Sequence, residues 1–101
     1  MCYHKSQDVA FARQGLVELF LGESKLYRSQ PEVLRGFFRV MAVIIAAESD
    51  RDLRALGSLD FKALHGSEEG LLQVRTDGRN RIRFRMNGRE LLVEAFGDFH
   101  S

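Results

Sequence analysis

The sequence predicts an α+β fold: N-terminal helices packed on an antiparallel sheet that ends in a three-stranded meander. Three observations predict it. Apolar residues recur at helical spacing across residues 31–45, and beyond Gly57 the period changes from 3.6 to 2. Two turn dipeptides, "DG" (77–78) and "NG" (87–88), then punctuate the alternating stretch. Helices first and strands afterwards is the α+β order.

The elements follow along the chain. "DVAFAR" (8–13) alternates weakly and reads as a short strand, and "GLVELFLG" (15–22) as a short amphipathic helix bounded by glycines. "ESKLYRSQ" (23–30) is polar and loop-like. In "SQPEVLRGFFRVMAVIIAAES", Ser29 with Glu32 three residues on spells a capping box, and the only proline falls inside the first turn. Val33, Leu34, Phe37, Phe38, Met41, Ile44 and Ile45 form the apolar stripe of a helix over 30–48. "SDRDLRAL" (49–56) reads as a further turn or two, capped by Ser49 or Asp50. "FKALHG" (61–66) reads as a strand or an extended arm, "LLQVRT" (71–76) as a strand, residues 79–86 as the next, and "RELLVEAF" (89–96) as the returning one. The long helix is expected to cover the apolar sheet face.

Composition narrows the function classes. At 101 residues, 45% hydrophobic and 29% charged, the chain reads as one ordinary globular domain, residues 1–101. The lone Cys2 precludes an internal disulfide, and with no apolar leader in "MCYHKSQD" the expected location is cytoplasmic. The longest apolar run, "VMAVIIAA" (40–47), has eight residues, and a membrane span needs roughly 20. No membrane role is expected.

Net charge is +1, but its distribution is uneven. Residues 75–89 hold six arginines against one acid, Asp77. Arg79, Arg81, Arg83 and Arg85 occupy alternate positions, so on a strand they leave one face while Ile82, Phe84 and Met86 leave the other. Two readings of this strip stand. It is a solvated face, its arginine heads paired with Glu90 or Glu94 on the neighbouring strand. Or it binds an anion, which the excess of arginine over local acid favours. Guanidinium rather than ammonium suits bidentate phosphate contact or stacking on bases, and RNA, DNA and an acidic protein segment all fit.

Other residues carry weaker signals. Asp98, Phe99 and His100 follow the last strand, where His serves as acid or base near neutral pH, Asp orients it and Phe stacks on a base. The bland reading of these three is a plain tail. His65, in "ALHG", is a loop residue or a catalyst. Cys2 and His4 lack a second pair of ligands, so no zinc site is expected. "GSEEG" (66–70) lacks the Lys-Ser/Thr of a phosphate loop.

Taken in order, "GLVELF", the long helix, "FKALHG", "GLLQVRTDGRNRIRFRM" and "GDFH" resemble the RelE superfamily of toxins, specifically its HigB (plasmid maintenance killer protein) branch. The likeness spans about residues 7–100. Val74-Arg75, Gly78, Arg81-Ile82, Phe84, Asp98 and His100 fall in register with that branch's motifs. The resemblance implies a RelE/ParE-like fold and a cytoplasmic, ribosome-dependent mRNA endonuclease. It implies no metal or cofactor, and control by an antitoxin, usually a helix-turn-helix protein. It implies that Arg75 contacts the scissile phosphate, that Arg81 is the second sheet arginine, and that His100 is an acid or base oriented by Asp98. Lys62, Arg79, Arg83 and Arg85 are then auxiliary RNA-binding cations, Phe99 a stacking residue and His65 a partner in proton transfer. Two positions depart from the pattern. Phe99 stands where the family has Tyr, and His65 where it has Lys. Two rivals remain: a non-nucleolytic ParE-like toxin acting on DNA gyrase, and a degenerate RNA-binding domain.

Overall fold

The computed structural model describes residues 8–25, 27–64, 70–87 and 90–98. A short strand, β1 (Asp8–Phe11), leads into α1 (Gln14–Phe20), then α2 (Pro31–Ala46) and α3 (Asp50–Arg54). After a 3-10 turn at Gly57–Leu59 come β2 (Lys62–Ala63), β3 (Leu72–Arg75), β4 (Arg81–Asn87) and β5 (Glu90–Gly97). The strands form one sheet in the order β1-β5-β4-β3-β2. β3, β4 and β5 are the expected antiparallel meander, β2 adds antiparallel to β3, and β1 lies parallel to β5. The sheet is therefore mixed rather than wholly antiparallel.

Local chemistry explains the helix ends. α1 stops in a Schellman arrangement: Glu23 N–H donates to the Glu18 carbonyl at 2.7 Å and Gly22 N–H to Leu19 at 3.1 Å. Gly22 takes φ +79°, where a side chain would be strained. Pro31 opens α2, but its N-cap is Gln30, with no side-chain cap bond. The Ser29–Glu32 capping box is therefore not formed: the helix starts one residue later than that motif requires, and proline's fixed φ replaces it as the start signal. Ser49 does cap α3, its Oγ accepting from Arg51 N–H at 3.3 Å.

The core lies on one side of the sheet. Phe37, Val40, Met41 and Ile44 of α2, with Leu16 and Leu19 of α1, pack over Val74, Ile82, Phe84, Leu91 and Val93. Phe37 is fully buried and meets Phe96 edge-on, ring centroids 4.9 Å apart. Phe38, placed on the apolar stripe by sequence spacing, is instead 38% exposed. A bulge adjusts β5 to this core. Arg83 faces Ala95 and Phe84 faces Val93, leaving Glu94 as the extra residue. Without it, Val93 and Phe96, three residues apart, would point to opposite faces.

The first hairpin also differs from its sequence reading. "DG" (77–78) does not form a two-residue turn, because neither Asp77 nor Gly78 takes the positive φ that turn demands. Thr76 N–H donates to the Asn80 carbonyl at 3.0 Å, leaving Asp77–Arg79 as a three-residue loop. Arg79 therefore precedes β4 rather than lying in it. At the second hairpin Asn87 pairs with Glu90, so the connection is residues 88–89 rather than 87–88. Those two residues lie outside the described ones. No helix among the described residues is long and apolar enough to cross a membrane.

Candidate nucleic-acid interface

The helices leave the second sheet face open, and strand register decides what stands on it. Directly paired residues share a face. Arg75 pairs with Arg81, and Arg81 with Gly97. In the next row Lys62 pairs with Gln73, Gln73 with Arg83 and Arg83 with Ala95. Beyond the bulge Arg85 pairs with Leu92. Lys62, Arg75, Arg81, Arg83 and Arg85 thus share the face opposite Val74, Ile82 and Phe84. The alternation read from the sequence holds for Arg81, Arg83 and Arg85, and Lys62 joins them through β2.

The cations differ in their partners. Arg83 Nε donates to Gln73 Oε1 at 2.9 Å, and Gln73 is almost wholly buried. Arg85 Nε is 2.6 Å from Glu94 Oε2, the carboxylate delivered by the bulge. Arg79 Nε stands 4.0 Å from Asp98 Oδ2, on exposed ground. The solvated-face reading of the strip, with its Arg–Glu94 pairing, therefore describes Arg85. It does not describe Arg75 and Arg81, which form no ion pair with any carboxylate among the described residues. Arg81 Nη1 donates to the Asn80 carbonyl at 3.4 Å, and its charge reaches the Asp77 carboxylate without forming an ion pair. Two arginines paired directly across neighbouring strands bring like charges to one spot on the face, and an anion held between them relieves their repulsion.

The loop joining this pair is tightly bonded. Asp77 Oδ1 accepts the backbone N–H groups of Arg79 and Asn80, each at 2.8 Å. The Asn80 side chain donates to both carboxylate oxygens, at 3.1 Å to Oδ2 and 3.3 Å to Oδ1. Burial works to raise the Asp77 pKa, but these bonds, with the charge of Arg81, outweigh it and hold the carboxyl below its ordinary 3.8. Thr76 Oγ1 donates to the Asn80 carbonyl at 3.2 Å, inside the protein. On the helix side, a cavity of about 640 Å³ is lined by Arg39, Val40, Val43, Leu56, Leu59 and residues 75–78.

Of the sequence-predicted site residues, register brings together Arg75, Arg81, Arg83, Arg85 and Lys62. Arg79 and Asp98 stand beside them, Asp98 directly after Gly97. His65, Phe99 and His100 lie outside the described residues, as do Cys2 and His4. No group of three or more His, Cys, Asp or Glu among the described residues could hold a metal ion. Sequence reasoning named Glu94 as an arginine partner but missed Gln73, Thr76 and Asn80, which hold or flank the arginines. Only Gln73 left a usable trace, a polar residue alternating with Leu72 and Val74 and so falling on the arginine face.

No protein-family model matches the sequence, and no curated protein matches it. Solved structures do. A crystal structure of YafQ from E. coli strain BL21(DE3) matches with TM-score 0.68 at 14% identity, covering 91% of this chain and 92% of that one. A YoeB/ParE toxin from Agrobacterium tumefaciens matches with TM-score 0.66 at 11% identity, over 92% and 99% of the two chains. The heterotetrameric YoeB–YefM toxin–antitoxin complex from Staphylococcus aureus matches with TM-score 0.63 at 12% identity, over 94% and 98%. At these identities the likeness establishes the fold, the α+β fold of RelE-, YafQ- and YoeB-type toxins.

Proposed function

We propose that this chain is the toxin of a type II toxin–antitoxin pair: a cytoplasmic, single-domain, ribosome-dependent mRNA endonuclease of the HigB branch, inhibited by a cognate antitoxin. The observation that carries this reading is the Arg75–Arg81 row, two arginines paired directly across strands on an open sheet face, neither in an ion pair with a carboxylate among the described residues. That two of the structures with this fold, the YoeB–YefM and DinJ–YafQ complexes, are toxin–antitoxin assemblies supports it.

The chemistry is transesterification by the substrate itself. The ribose 2′-oxygen attacks the adjacent phosphorus, the P–O5′ bond breaks, and a 2′,3′-cyclic phosphate and a 5′-hydroxyl result. Three demands follow: a group to take the 2′-OH proton, cations for the charge growing on the equatorial oxygens, and a donor for the leaving 5′-oxygen. In this reading Arg75 and Arg81 grip the scissile phosphate bidentately, and His65 and His100 share proton transfer, with Asp98 orienting His100. Phe99 stacks on a base, while Lys62, Arg79, Arg83 and Arg85 draw in the flanking backbone. No metal is needed, because the guanidinium groups supply the positive charge.

Purified protein added to programmed ribosomes should cut message at the decoding site. Arg81→Ala should lower cleavage at least about 100-fold, the scale of losing one preorganised charge-stabilising donor. Intact message at saturating protein would refute the nuclease reading. A second reading, inhibition of DNA gyrase, is favoured by the internal bonding of Arg83 and Arg85, which leaves fewer cations for a long RNA path. The YoeB/ParE toxin fold is equally compatible with it. It predicts blocked supercoiling with undamaged mRNA.

A further inference from the structure

Arg75 and Arg81 are joined by Thr76–Asn80, so the shape of that segment sets where the two side chains begin. Because Asn80 gives its N–H to Asp77, that N–H does not return to the Thr76 carbonyl as it would in a closed hairpin, although the Asn80 carbonyl still accepts from Thr76. The Thr76 carbonyl takes its side-chain donor from a different element: Arg39 Nη2, on α2, at 3.1 Å. One turn earlier on α2, Gly36 is buried against the same carbonyl, and a Cβ there would stand 2.9 Å from the Thr76 oxygen. α2 therefore reaches the arginine loop twice, by a close approach that only glycine permits and by a guanidinium bond. Hydrophobic packing alone accounts for neither contact.

We infer that Gly36 and Arg39 are positioning residues: α2 holds the Thr76 carbonyl in place and thereby fixes the spacing of Arg75 and Arg81 around one phosphate. This rests on the phosphate-binding reading of that row. The physical need is plain, because facing like charges relax apart unless their backbones are held. A phosphate is gripped by both only while each remains within bonding reach. The internal bonds of Asp77 make the loop stiff, and the anchors on α2 give the stiff loop a fixed place.

Two variants separate this role from direct phosphate contact by Arg39. Gly36→Ala changes no charge, yet displaces the carbonyl. It should lower kcat for message cleavage at least about tenfold, with KM and salt dependence kept. Gly57→Ala is the control, since a Cβ there meets nothing within 4 Å, and should leave cleavage unchanged. Arg39→Met should reproduce the kcat loss, and Arg39→Lys, which restores a donor, should recover part of it. If Arg39→Met instead raises KM and flattens the salt slope by about 0.9 while Gly36→Ala cuts normally, Arg39 is a substrate contact and the inference is overturned. A readout without cleavage is the Nε resonances of Arg75 and Arg81, before and during titration with inorganic phosphate. In the parent protein both should move together. If the parent neither cuts RNA nor shows that joint movement, the phosphate reading fails. The positioning claim is then decided by the phosphate-free spectra: shifted Arg75 and Arg81 signals in both variants sustain it, and unshifted ones sink it.

Discussion

Replacing Asp77 by alanine should cost about 2 kcal/mol of stability at pH 7, through the loop alone. The carboxylate holds two backbone N–H groups at 2.8 Å and the Asn80 amide at 3.1 Å. A hydrogen bond to a charged group is worth roughly 1.5–3 kcal/mol net. Arg79 is exposed, so its freed N–H rehydrates at little cost. Asn80 is buried, and its orphaned N–H and amide carry most of the loss. With Asp77 itself partly in solvent, about one and a half effective bonds remain, hence about 2 kcal/mol, or a fall in melting temperature of roughly 10 °C for a domain of this size. The sign of the pH dependence follows from the depressed pKa. The contribution is full above the ordinary value of 3.8 and fades as pH falls through the lower folded value. The gap between parent and variant should therefore be widest near neutrality and narrow progressively below about pH 3.8. Urea unfolding at pH 7 and thermal melts down to about pH 2.5 measure it. A gap that stays constant or widens on acidification would refute the ionised-anchor reasoning.

Three further outcomes are expected. Glu94→Gln removes the carboxylate from Arg85 and should tighten RNA binding at low salt, steepening the log–log salt slope by up to about 0.9; a filter-binding series over salt tests it. Phe37→Ala empties a fully buried position beside Phe96 and should cost about 3–5 kcal/mol in chemical denaturation. Gly70→Ala combines φ +90° with a Cβ placed 2.9 Å from Arg85 Nη1; a loss of about 1–2 kcal/mol is expected, and an unchanged melting curve would contradict it.

Period was the most readable signal. The 3.6 repeat located α2 and the 2 repeat located β3 and β4, because each burial pattern is one-sided and hence periodic. The open face followed from the same alternation, which put Arg81, Arg83 and Arg85 opposite Ile82 and Phe84. What failed was chemistry that competes locally. "DG" announced a tight turn, but the Asp77 carboxylate captured two N–H groups and enlarged the loop, moving Arg79 out of the strand. Ser29 and Glu32 spelled a cap that Pro31 pre-empted. The bulge at Glu94 was invisible because it arises from matching β5 to both α2 and β4. Yet Val93 and Phe96, both turned to the core at an odd spacing, are its trace. The contacts of Gly36 and Arg39 with Thr76 join residues about forty positions apart, and no local pattern encodes them.

The parallel pairing of β1 with β5 carries a consequence for how the molecule comes into being. Residues 8–11 find their neighbours only at 90–93, almost the whole described length away. During synthesis the earliest strand must therefore wait, unpaired, until the latest has been made, and closing so large a loop slows folding. The helices rest on local contacts, whereas the sheet that bears the arginines cannot close around β5 until residues 90–97 have been made. The surface is thus assembled from the far ends of the described chain.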